Sequence, residues 1–400
     1  MKRLLMATTA LCLGAGTAAA DIALSGSAEM GVAGSKDDST RFHTDIDVTF
    51  TMSGTTNAGV AFGAAIDIDE ASVDDGEKDH ATNNDDEDGG IAVHMSQPET
   101  FGTITMGDTA GAIAWAVSDA RGAGPGSIRD NHEHGGSSGN DGLDATHDNQ
   151  ILRWDRAIGS GFSMAASVEL DDDTDGKPGG KTYDPIFGVG GTYSTGMGVG
   201  TLGLGAGFQM GSHSHIIKDG AGAVIWGTAK EGDTPEMGRE MEAAAFGGSV
   251  SLDFGNGGDG IKLVADAGVM EAEGDLVEEG LVTQTASVEG MHIGLGLGYT
   301  VGAISLGVNV GSKTTESTHE ASPNVADSGR TALETTVSGV GFSAAYDLGG
   351  GAALQFGVGS AETEHDWTYQ GDAVRSGTGE NGHDSSSETN SWSLGVAFSF

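Results

Sequence analysis

The sequence predicts an all-β fold, a 16-stranded antiparallel transmembrane β-barrel with short periplasmic turns, long external loops and an inward-folded third loop. Three observations predict it. Apolar residues fall at every second position in segment after segment, which is the period of a strand with two unlike faces. The connections alternate short and long through the whole chain, as an up-and-down barrel with one tight and one elaborate rim requires. The start, MKRLLMATTALCLGAGTAAA, has Lys2 and Arg3, an apolar stretch from Leu4 to Leu13 and small residues at Ala18 to Ala20; residues 1–20 read as a cleaved secretory signal peptide.

In chain order the first strands are DIALSGSAEMGVA, with Ile22, Leu24, Met30 and Val32 on one face, and DIDVTFTM, with Ile46, Val48, Phe50 and Met52. GVAFGAAIDID, GIAVHMS, TFGTITMGD, ILRWDRAI and GFSMAASVEL follow. The segment from Asp184 to Ser194 alternates less cleanly, and TLGLGAGFQM is clear. The remainder are Met241 to Phe254, IKLVADAGVM, Gln284 to Tyr299, AISLGVNV, Thr331 to Leu348, GAALQFGVG and the terminal SWSLGVAFSF. One short stretch, Ala112 to Ala120, suits a helix. The barrel therefore occupies residues 21–400, and its last strand must pair with its first, because an open edge in a bilayer leaves backbone groups unsatisfied.

The tight connections are SGTTNAG, SQPET, IGSG, STGMG, GNGGDG, YTVGA and DLGGG; the long ones between them are polar and acidic. One long connection differs. Residues 108–149 open with TAGAIAWAVSDARGAG, and Ile113, Trp115 and Val117 would not be left in bulk water without cause. Such a loop tucks into the lumen and narrows it. The strand faces opposite the apolar ones carry Ser27, Glu29, Asp45, Asp47, Asp67, Arg153, Asp155, Lys262 and Asp266, a wet wall on which acids outnumber bases. Small residues such as Gly63, Gly203, Gly205 and Gly395 are expected to leave the bore open.

Composition narrows the function. The formal charge of −41 becomes −41 − 2 = −43 without Lys2 and Arg3, so nucleic acid and other polyanions would be repelled. The one cysteine, Cys12, lies in the leader, so the mature chain uses no disulfide. GVGTLG (Gly198, Gly200, Gly203) matches a dinucleotide fingerprint, but strand alternation continues where a helix is needed. DDDTDG, with Asp171, Asp173 and Asp175, opens like a calcium loop, although Thr182 stands where a bidentate glutamate is wanted; calcium in external loops is a weak expectation and no other cofactor is implied. His132 with His134, and His213 with His215, lack a third metal ligand at short spacing, and no nucleophile elbow or H-E-x-x-H is present, so no enzyme is expected. An exported, acidic, calcium-binding surface or adhesin protein of soluble β architecture is the alternative.

FTMSGTT (Phe50 to Thr56), PETFGTITMGD (Pro98 to Asp108) and the C-terminal AFSF resemble the general porins of α-proteobacteria, the Rhodobacter type. The resemblance implies a homotrimer in the Gram-negative outer membrane, a third external loop folded into an eyelet, and passive diffusion of small hydrophilic solutes. It also implies that Phe400 is read by the barrel-assembly machinery during insertion into outer-membrane lipid. In that family, acids on the inward loop face a basic cluster on the wall. Asp119 and Asp130 carry over as the loop acids, with Arg121 beside them and Arg153 following the loop. The strand before FTMSGTT, where such relatives often show arginines, holds Asp45 and Asp47 instead, with Arg41 near its end. The expected constriction set is Asp45, Asp47, Asp67, Asp119, Arg121, Asp130, Arg153 and Asp155, giving a pore that prefers cations.

Overall fold

A computed structural model describes residues 21–36, 39–70, 90–129, 134–135, 139–140, 142–144, 150–170, 184–214, 217–218, 224–226, 240–256, 259–278, 281–321, 329–371 and 385–400. The leader, Asp130 and the acidic run Asp171, Asp173 and Asp175 lie outside these residues.

Sixteen strands close into one antiparallel barrel. The first seven are β1 (Asp21–Ser35), β2 (Arg41–Thr55), β3 (Ala61–Glu70), β4 (Ile91–Gln97), β5 (Gly102–Asp108), β6 (Gln150–Gly159) and β7 (Phe162–Glu169). β8 (Ile186–Gly196) and β9 (Thr201–Ser214) follow, and then a separate two-stranded ribbon, β10 (Ile217–Lys218) and β11 (Val224–Trp226). The barrel resumes with β12 (Glu240–Asn256), β13 (Asp259–Glu278), β14 (Leu281–Val301), β15 (Ile304–Ala321), β16 (Gly329–Gly349), β17 (Ala352–Gly371) and β18 (Ser385–Ser399). β1 pairs with β18, Ser27 opposite Ser399 and Ala33 opposite Ser393, and the Phe400 N–H donates to the Gly26 carbonyl at 2.9 Å. The seam closes as the unsatisfied-edge reasoning requires.

The lipid-compatible face is continuous. On β14, Met291, Ile293, Leu295, Leu297 and Tyr299 are all exposed, while His292 between them is buried. The same parity runs through Phe246 and Val250 on β12 and Val308 and Val310 on β15. A soluble sandwich would bury such a face against a partner sheet; here the apolar side chains form the outside of a closed cylinder, which sets aside the soluble adhesin architecture. No described helix is long and apolar enough to cross a membrane, which says nothing against crossing by strands.

In the second half the strands outrun the apolar alternation. Apolar alternation marks Gln284 to Tyr299, whereas β14 runs to 21 residues and β16 also to 21. Alternation reports the apolar band; backbone pairing continues past it, where polar residues can face water on both sides. Glu271, Glu289, Glu316, Glu334 and Asp366 stand directly opposite one another across β13 to β17 in this upper part. By contrast β4 and β5 have seven residues each. At the tight rim, Gly159 (φ 99°), Ser160 (φ 54°) and Gly161 (φ 85°) turn β6 into β7 through the left-handed region, which glycine enters without strain.

Candidate pore constriction

The segment after β5 lies inside the barrel, against side chains of the inward parity. Arg153 on β6 anchors its start, its Nη1 donating to the Ala110 carbonyl at 2.6 Å and to Thr109 Oγ1 at 3.2 Å. A one-turn-plus helix, α1 (Ala112–Ala116), follows, shorter than the Ala112 to Ala120 stretch the sequence suggested. A 3-10 turn at Ala120–Ala123 comes next. The division has a cause: the Asp119 side chain accepts from the Arg121 N–H at 2.8 Å and caps the second turn, which ends continuous helix between them.

The orphan N–H groups of these short elements are met by the wall. Ala112 N donates to Ser167 Oγ (3.0 Å), Ser118 N to Ser249 Oγ (2.8 Å) and Ala120 N to Asp266 Oδ1 (2.7 Å). Lys262 Nζ donates to the Gly122 carbonyl (2.9 Å), Asn140 Nδ2 to Ala267 O (2.8 Å) and Leu143 N to Gln209 Oε1 (2.8 Å). The anchors therefore run from β6 and β7 across β9, β12 and β13. Further along, Ile128 lies against Gly31 on β1 and Gly395 on β18, so the segment crosses the bore to the closing seam.

Of the glycines expected to leave the bore open, Gly205 faces the segment's backbone and Gly395 the Ile128 side chain, while Gly63 and Gly203 face groups of the wall. Gly296 and Gly298 admit the segment's backbone as Gly205 does. A Cβ at Gly205 would collide with the Ala116 carbonyl oxygen, one at Gly296 with that of Ala120, and one at Gly298 with that of Ala123. Apolar burial adds to the docking: Ile113 and Ile128 are fully buried, and Leu143 nearly so. Ile113 and Leu143 pack with Met241, Ala243, Ala245, Ala286 and Val288, so part of the inner wall is apolar under the segment. Each such side chain contributes about 1.5–3 kcal/mol when withdrawn from water.

The expected constriction residues divide into groups. Asp45 and Asp47 on β2 and Asp67 on β3 lie on the inward face of one short wall; Ser27 Oγ donates to Asp47 (2.7 Å) and Thr49 Oγ1 to Asp67 (3.0 Å). Asp119 and Arg121 meet each other, Nη2 to Oδ2 at 2.7 Å. Arg153 and Asp155 form a second pair at 3.2 Å. Two of the expected basic groups thus sit in ion pairs. Phe400 lies 79% exposed at the tight rim, stacked 6.5 Å from Phe398.

Sequence reasoning placed Asp266 and Glu29 on the wet wall but gave neither its partner, and it did not single out Gln209. Asp266 anchors Ala120 and also lies 2.6 Å from His292 Nε2 across the β13–β14 pair, both side chains buried. Gln209 holds both Leu143 and Asp144. Glu29 lies 3.3 Å from His43 on the neighbouring strand. Strand register brings Asp266 to His292 and Glu29 to His43, and the docking of the segment brings Gln209 to Leu143 and Asp144; neither is written in any one segment.

His134, within the inward segment, lies 3.2 Å from Asn309 Nδ2. Burial lowers its pKa to about 4, helped by the Arg121 guanidinium and opposed by Asp119. The docked segment thus binds a proton less readily than a free one, so docking is favoured above the ordinary histidine value and weakened as pH falls from about 6.5 towards 4. Current flicker of single channels should increase across that window, and His134→Gln should flatten the dependence.

A closed barrel with an apolar exterior, a polar interior and a segment docked across its bore defines a membrane-spanning channel barrel. Residues 7–366 match the Gram-negative porin family. A porin of Rhodobacter capsulatus is 28% identical over 347 residues, covering 84% of this chain and 93% of its own. Among solved structures, a porin refined at high resolution superposes with a TM-score of 0.54 at 21% identity, over 95% of this chain and all of its own. An anion-selective porin from Comamonas acidovorans has a TM-score of 0.54 at 11% identity, over 96% of this chain and all of its own. OmpT of Vibrio cholerae, in trimer form, reaches 0.51 at 13% identity, over 96% and 100%. The chain belongs to the Gram-negative porin family, whose members are outer-membrane channels and not enzymes.

Proposed function

We propose that this porin is a homotrimeric, cation-preferring channel for passive diffusion of small hydrophilic solutes, with residues 1–20 cleaved on export and residues 108–149 forming the constriction. The observation that carries the preference is the wall from β1 to β3. Glu29, Asp45, Asp47 and Asp67 share its inward face, while Arg121 and Arg153 sit in ion pairs with Asp119 and Asp155. Fixed carboxylates beside a narrow aqueous path concentrate cations and repel anions. The Comamonas structure is described as anion-selective, and wall charge, not barrel topology, decides such a sign.

The trimer rests on wall height. Seven residues span about 24 Å along a strand and, at the usual tilt, rise roughly 18 Å, less than the apolar band of about 25 Å. β4 and β5 are that short, so this side needs protein cover, and the small outward residues Gly26 and Ala28 on β1 and Ala64 on β3 suit close packing.

The test is the zero-current potential in a potassium chloride gradient. The wild type should show cation preference, and Asp45→Asn with Asp47→Asn should reduce it by about half. Anion preference in the wild type would overturn the reading, and an unchanged potential in the double variant would remove both residues from it.

A further inference from the structure

We propose that Glu29, His43 and Asp45 form a binding site for a divalent transition metal of the zinc class on the lumen wall. Register creates the site. In the β1–β2 pair Glu29 stands opposite Asp45, and Gly31, two residues on, stands opposite His43. All three side chains therefore leave the same inward face of two adjacent strands. One ligand atom from each lies within 4.8 Å of the others, and theirs is the one such convergence of three among the described residues.

The distances suit a small ion. Two ligands held at about 2.1 Å from zinc in tetrahedral geometry are roughly 3.4 Å apart. Glu29 Oε2 and His43 Nε2 are already 3.3 Å apart, and a carboxylate oxygen of Asp45 lies within 4.8 Å of the ligand atoms of both. His43 is only 8% exposed, which fixes its ring. Ile128 of the inward segment lies against Gly31, directly across from His43, and shields one side.

The neighbouring carboxylates show the contrast. Asp47 and Asp67 each accept from a hydroxyl, Ser27 and Thr49, and face no imidazole in that contact. At Glu29 and Asp45 two carboxylates stand directly opposite each other across the ladder, with the His43 imidazole beside them. One imidazole nitrogen with two carboxylates favours zinc, nickel or cobalt over calcium and magnesium, which take more ligands and prefer oxygen alone. Three protein ligands leave a coordination position open to lumen water. Resting on the cation-preferring reading above, a bound divalent ion would cancel two negative wall charges and weaken that preference.

The test uses the full-length protein in detergent, freed of metal with a chelator and dialysed against zinc chloride with excess magnesium to occupy loop carboxylates. The expected result is one retained zinc per chain. His43→Gln and the isosteric Glu29→Gln, each checked for folding by heat-modifiable gel mobility, should lower zinc affinity about tenfold or more. No retained zinc in the wild type, or equal affinity in the wild type and both variants, would overturn the site. In bilayers, micromolar zinc should move the wild-type zero-current potential towards zero and leave that of His43→Gln unmoved; equal movement in both would contradict it. Retention is read without any current, so failure of the site is distinguishable from failure of the cation preference.

Discussion

Replacing Gly296 with valine is expected to lift the inward segment from the wall and raise the unitary conductance about twofold or more. A Cβ there would collide with the Ala120 carbonyl oxygen and lie 2.8 Å from the Ala123 Cβ. Both are parts of the 3-10 turn whose N–H is held by Asp266, so neither can yield without moving the turn. The barrel itself should tolerate the change, because Gly296 pairs with Val264 and Asn309 by backbone alone and valine favours strands. Gly290→Ala is the control. It lies on the same face of β14, but its Cβ would meet Met270 at an ordinary 3.7 Å. Conductance unchanged in Gly296→Val would mean that the segment does not limit the current.

Leu295→Arg should prevent or severely weaken insertion. Leu295 is 53% exposed in the middle of the outward row Met291 to Tyr299, flanked across the sheet by Ala265 and Val310. A cation at the midplane of a lipid-facing strand costs about 2–4 kcal/mol. Urea-dependent folding into phospholipid vesicles would read that loss as a lowered midpoint. Ser305→Arg is the paired control, because Ser305 lies on the inward face of β15 and gives up one hydroxyl contact with Thr300, worth about 1 kcal/mol. Equal losses at the two sites would contradict the assignment of faces.

The barrel was legible because lipid enforces it. Ile293, Leu295 and Leu297 must point outward at every second position, and that periodicity survives in the letters. The closing pair of β1 with β18 followed from the same constraint, and the inward tuck of the segment from Ile113, Trp115 and Val117, apolar residues in an otherwise polar kind of connection. What the letters did not carry is contact across strands. Gly205 looked like open bore, yet its bareness, like that of Gly296, serves a docked backbone. Asp119 and Arg121, expected as constriction charges side by side on the loop, pair with each other two residues apart. Arg153 holds the Ala110 carbonyl and pairs with Asp155. Asp266 and His292, and Glu29 with His43, meet only through a register that no single segment encodes. Met241, Ala286 and Val288 point inward against the polar expectation, because the segment they support carries its own apolar side chains.

The most direct test of the central claim is the wild-type zero-current potential measured across a fixed tenfold potassium chloride gradient at rising mean salt. A wall of carboxylates acting through water should give strong cation preference where the screening length is about 30 Å, near 0.01 M, fading as that length falls to roughly 3 Å at 1 M. A potential of the opposite sign, or one of constant size across that range, would contradict it.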